Sequence, residues 1–105
     1  MNSPRITFGD KVRVRATRHT DRDGTAGQTG IVYGFTTPSQ TKVEVVGDST
    51  DDYAIAVMIE GKNSPIWFAG DLLEFVDRQP GTTVQIGSRR LIRDEQGRWH
   101  DVKLT

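Results

Sequence analysis

A chain of 105 residues and 11.7 kDa suggests one domain with room for a single compact core. Its 14 basic residues balance 14 acidic ones, and a formal charge of zero argues against a generally basic coat for nucleic acid. It has no cysteine, which excludes disulfides, thiolate nucleophiles, iron–sulfur ligation and thiolate zinc sites.

Met1 to Arg5 lead into the charged pair Asp10 and Lys11 with no apolar run of secretory or spanning length, so the expected location is the cytoplasm. Beyond them, 11 glycines and 4 prolines cut the chain into short pieces, and no long window repeats apolar residues at helical spacing. The pattern predicts an all-β class. Residues 11–15 alternate cleanly, which turns Val12 and Val14 to a core and Lys11, Arg13 and Arg15 to solvent. Residues 17–28 are polar and read as a long loop. Residues 29–35 form the second predicted strand, with Ile31 and Tyr33 on one face and Val32 on the other. Thr37-Pro38-Ser39-Gln40 is a predicted turn, residues 42–46 a third strand, and residues 47–52 an acidic turn.

Residues 54–59 make the most apolar strand, with Ile55, Val57 and Ile59 on one side. After a turn at Gly61-Lys62-Asn63, Pro65 opens Ile66-Trp67-Phe68. Alternation assigns Phe68 to the core and leaves Trp67 as the surface candidate. Ala69-Gly70-Asp71 suits a single helical turn before a last strand at residues 72–76. Gln79-Pro80-Gly81 reads as a hinge, followed by three short strands at residues 83–86, 89–93 and 98–102. So small a unit is marginal alone and is expected to dock on the main sheet or on a second copy through Leu91 and Trp99. The predicted organisation is a barrel over residues 1–78 and a C-terminal β-hairpin appendage over residues 79–105. Barrel closure would remove open strand edges.

Gly9-Asp10-Lys11-Val12-Arg13-Val14 and, after the loop, Gly27-Gln28-Thr29-Gly30-Ile31-Val32 resemble the opening of an SH3-like barrel of the KOW kind. Ile66-Trp67-Phe68 followed by Asp71-Leu72-Leu73-Glu74 is similar to the family's ending: a strand, one helical turn and a strand bearing leucine. The spacing also resembles the small barrels of electron-transport accessory domains and of bacterial toxin-immunity proteins. This resemblance spans residues 6–76 and implies an SH3-like five-stranded barrel. Gly27 and Gly30 are expected to supply positive φ or close backbone approach at its corner. The loop at residues 16–26 is longer and more polar than a ribosomal KOW turn.

Charge is unevenly spread: residues 44–77 carry net −7, between flanks of +4 and +3. Such asymmetry points to interaction more than to fold. Asp48, Asp51 and Asp52 share one predicted turn with Tyr53 beside them, and with Trp67 they make the expected partner-binding residues for a basic protein. The alternative is a KOW-like nucleic-acid binder using Arg13, Arg15, Arg18 and Arg22 on phosphates. No aromatic residue alternates with these arginines, which weakens single-strand stacking. Tyr33, Phe35, Tyr53, Trp67 and Phe68 fit either a peptide groove or core packing.

No nucleophile elbow, phosphate loop or Ser/His motif is present, and Asp21-Arg22-Asp23-Gly24 lacks the further ligands of a calcium loop. His19 and His100 sit outside any ligand-spaced motif. The expected protein is therefore a non-enzymatic protein-binding module, immunity-like or accessory in type. It is expected to need no cofactor, metal or membrane and to be a monomer or a homodimer through the C-terminal hairpin.

Overall fold

The computed structural model describes residues 5–48 and 51–102. In chain order the elements are β1 (Lys11–Val14), α1 (Arg18–Asp23), β2 (Thr29–Thr36), α2 (Pro38–Thr41), β3 (Val45–Val46), β4 (Ala54–Ile59) and β5 (Ile66–Ala69). A 3-10 turn, Gly70–Leu72, leads into β6 (Leu73–Asp77), and β7 (Thr83–Ile86), β8 (Arg89–Arg93) and β9 (Trp99–Asp101) follow. The class is all-β, as the strand spacing predicts. Strands β3-β5-β4-β2-β1-β6 form a six-stranded sheet in that order, and β7-β8-β9 form a separate three-stranded sheet.

Period-two alternation determines the core. Val12, Val14, Val32, Val57 and Phe68 are wholly buried, with Ile55, Ile59, Leu72 and Leu73 packed among them. Strand β6 returns to pair antiparallel with β1 and brings the end of the larger sheet back to its start. Gly30 lets β2 approach β4: a Cβ there would meet the Met58 carbonyl oxygen and come within 2.7 Å of Val57 Cγ1. Gly27, at the same corner, has φ +79. The register of β2 against β4 shifts between Val32 and Gly34, so Phe35 lies opposite the core residue Ile55. This irregularity ends the simple alternation expected along β2.

Several expectations are corrected. The five-stranded barrel is not closed: among the described residues no ladder joins the outer strands β3 and β6. The third strand, expected over residues 42–46, contracts to two residues and runs parallel to β5. Its first part is lost because α2 replaces the predicted turn and ends on Lys42 in the left-handed region at φ 61. The expected loop at residues 17–28 contains α1, a six-residue helix. Thr17 caps it by accepting from the Thr20 backbone N–H, while Thr20 Oγ1 accepts from the Thr17 backbone N–H at 2.8 Å.

The tail has the three strands expected at residues 83–86, 89–93 and 98–102, and they form one sheet, a strand more than the hairpin assigned to it. Trp99 meets Phe8 at a ring separation of 5.9 Å, but the deepest connection is made by Arg93. This β8 side chain is fully buried and donates to the Arg78 carbonyl at 2.7 Å, the Gly97 carbonyl at 3.1 Å and Thr7 Oγ1 at 2.9 Å. Gly9, at φ +90, leaves room for this junction: a Cβ would come within 2.9 Å of the Trp99 ring and 3.0 Å of Arg93 Nη1. The extents are 51 × 31 × 29 Å and the radius of gyration is 14.7 Å. A compact chain of this length would have a radius of about 13 Å.

Candidate protein-binding groove

A groove of about 870 Å³ opens between α1, the short edge strand β3 and the start of β5. Helix α1 contributes His19, Arg22 and Asp23. The β3 segment contributes Val43 to Gly47, and the approach to β5 contributes Pro65, Ile66 and Trp67. The Thr17 cap makes the helix, and the Thr20 hydroxyl fastens it to the sheet by donating to the Arg15 carbonyl at 2.6 Å. Thr20 is buried, so α1 turns His19 and Arg22 outward toward the groove from a fixed base.

Trp67 occupies the groove because of strand register. It pairs with Ala56 on β4 and with Val45 on β3, while its neighbour Phe68 pairs with Ile55 on the core face. Alternation thus leaves Trp67 half-buried on the opposite face, with apolar Val45 and Ile66 beside it in the lining. The polar part of the lining is mixed: Asp23 and Glu44 oppose Arg22, and His19 Nε2 lies 3.7 Å from Asp48 Oδ2. Among the described residues Arg18 and Arg22 have no ion-pair partner.

The expected binding residues are sorted by these contacts. Trp67 lines the groove and Asp48 stands at its end. Asp52 is instead engaged with α2: its carboxylate accepts from the Ser39 backbone N–H at 2.8 Å and from the Ser39 hydroxyl. These bonds, the hydroxyl foremost, hold its carboxyl below the ordinary aspartate value. Asp51 is exposed but has an interaction of its own. The acidic turn therefore does not act as one free surface, and residues 49 and 50 within it lie outside the described residues. Tyr53 stacks on Phe35 at 5.8 Å with 16° between the rings, and burial raises its hydroxyl pKa.

The alternative set is divided too. Arg13 and Arg15 flank a single carboxylate, with Glu74 Oε1 3.0 Å from Arg13 and Oε2 3.7 Å from Arg15. Strand β6 brings Glu74 opposite Arg13, which a reading of β1 alone does not reveal. Arg22 faces the groove instead. The groove also contains His19, Asp23, Val43, Glu44 and Pro65, none of which the sequence assigned to a binding site. The Thr17-x-x-Thr20 cap was the available signal for the helical ones.

Among the described residues no group of three or more His, Asp or Glu side chains is placed to hold a metal ion. No helix among them is long and apolar enough to cross a membrane. No family model, curated protein or solved structure matches this chain.

Proposed function

We propose that the chain is a protein-binding module that takes an extended segment of a partner protein in the groove between α1 and β3. The observation that carries this reading is the position of Trp67. A large aromatic side chain lies half-buried beside an edge strand, in a groove of about 870 Å³. Edge strands recruit extended segments through backbone hydrogen bonds, and pockets beside them select side chains. Aromatic anchors supply much of the energy at such interfaces.

Charge points to the partner. Asp23, Glu44 and Asp48 outnumber Arg22 at the groove, and residues 44–77 carry net −7. The segment that fits is apolar where it crosses Trp67 and basic at the rim. Coverage of a basic partner by an acidic face is the mode expected of an immunity-like or accessory barrel.

Pull-downs from nuclease-treated extracts of the source cell, followed by titration of the recovered partner, test this reading. Trp67→Ala is expected to weaken binding at least tenfold. Asp23→Lys with Glu44→Lys is expected to slow association, with the difference shrinking as salt is added. Unchanged binding in both variants rejects the groove.

A nucleic-acid reading is favoured by one observation, the absence of ion-pair partners for Arg18 and Arg22 among the described residues. It predicts salt-sensitive RNA or DNA binding that is lost in Arg18→Ala with Arg22→Ala and retained in Trp67→Ala.

A further inference from the structure

The two sheets have four outer strands among the described residues: β3 and β6 on the larger, β7 and β9 on the smaller. Unpaired edges recruit other chains, and proteins guard them with shortness, charge or a covering element. Strand β3 is two residues long and borders the groove already assigned to a partner segment. Strand β6 carries Glu74 and Asp77, and β9 is a three-residue strand carrying Asp101. Strand β7, Thr83-Val84-Gln85-Ile86, is longer than β3 or β9, carries neither charge nor proline, and has no strand on its outer side among the described residues; Ile86 is 63% exposed.

The ladder shows which backbone groups β7 offers. Val102 N–H donates to the Arg90 carbonyl and Asp94 N–H to the Arg98 carbonyl, so Arg90, Ile92 and Asp94 turn their peptide groups toward β9. Arg93 N–H donates to the Thr82 carbonyl, so Arg89, Leu91 and Arg93 face β7. In the β7–β8 register, Val84 lies opposite Leu91 and Ile86 opposite Arg89. Strand alternation then leaves the N–H and C=O groups of Thr83 and Gln85 directed outward.

We infer that β7 is a self-association edge that pairs antiparallel with β7 of a second copy, about a two-fold axis at Gln85. In this register Gln85 exchanges both backbone hydrogen bonds with Gln85 of the second copy. Val84 comes opposite Ile86 of the second copy, and Ile86 opposite its Val84, which covers the most exposed apolar side chain on two β-branched pairs. The strands carry no charge to repel one another. Two marginal three-stranded sheets become one sheet of six. A contact between four-residue strands is far smaller than the roughly 1,600 Å² of a standard interface, so the dimer is reversible and concentration-dependent.

The full chain has no cysteine, so Gln85→Cys introduces a unique thiol at the axis. Under mild oxidation Gln85→Cys is expected to form a covalent dimer, and Gln28→Cys, exposed in the turn before β2, to remain monomeric. Sedimentation velocity over about a hundredfold range of concentration is expected to show wild type moving from monomer to dimer. Ile86→Lys is expected to stay monomeric throughout, with unchanged circular dichroism. Wild type that is monomeric at every concentration overturns the inference. So does Ile86→Lys that associates like wild type, or Gln85→Cys that cross-links no faster than Gln28→Cys.

Discussion

Arg93 Nη2 lies 2.8 Å from Asp10 Oδ1, and both side chains are fully buried. The contact joins β8 of the small sheet to the loop before β1 of the large one. Asp10 also accepts from Arg78 Nη1 and from the Thr7 backbone N–H, both at 2.7 Å. The Arg93 contact is close but out of line for a hydrogen bond: Oδ1 accepts none, and Nη2 donates instead to Thr7 Oγ1. The carboxylate is therefore held by two guanidinium charges and one well-aligned backbone donor. Burying charge is costly, and these contacts offset it only while both partners remain.

Removing Arg93 leaves the buried Asp10 carboxylate with Arg78 as its one charged partner. Arg93→Ala is expected to cost about 3–5 kcal/mol, the range for breaking a buried ion pair from one side. Arg93→Met with Asp10→Leu is expected to cost less than the sum of the two single losses, because the fully buried pair leaves together while the part-exposed Arg78 keeps access to water. Urea denaturation of the two single variants and the double variant checks the coupling. Additive losses would show that the two residues act independently.

Gly30 is needed for space and not for a left-handed conformation, since its φ is not positive. Gly30→Val is expected to destabilise by about 1–3 kcal/mol through overpacking against Met58 and Val57. Gly30→Ala already places the offending Cβ and is expected to show most of the effect. Thermal melts of both variants test this, and a shift of a degree or two in either would contradict the close approach of β2 to β4.

Asp52 gives a pH prediction. Its folded carboxyl is held below the ordinary value of about 3.9 by the Ser39 hydroxyl and backbone N–H. A lowered folded pKa contributes stability that is present above the unfolded value and is lost as pH falls through the folded one. Ser39→Ala removes the larger cause, so the carboxyl pKa is expected to rise and the acid-side pH dependence to shrink. A carboxyl titration followed by NMR reads the shift directly. No change would mean that the backbone N–H alone sets it.

Strand positions, the inward turn of Val12 and Val14, and the division between Phe68 and Trp67 were legible in the residues, because side-chain alternation is a local property of extended chain. Helix α1 was hidden by its composition. Six polar residues show no apolar period, and its signal is a Thr-x-x-Thr cap closed by Gly24. The acidic turn was legible as charge but not as contacts: Asp52 is committed to Ser39, thirteen residues earlier.

The amino-acid sequence by itself determined the all-β class and the core faces of β1, β4 and β5, since these follow from alternation and from glycine and proline breaks. Tertiary structure alone decided that the larger sheet stays open between β3 and β6, and that Glu74 sits between Arg13 and Arg15. It likewise brought Arg93 to Asp10 and placed Trp67 beside α1. Each of these depends on which strand lies next to which and in what register. That choice is made by packing between residues far apart in the chain, and no local periodicity encodes it.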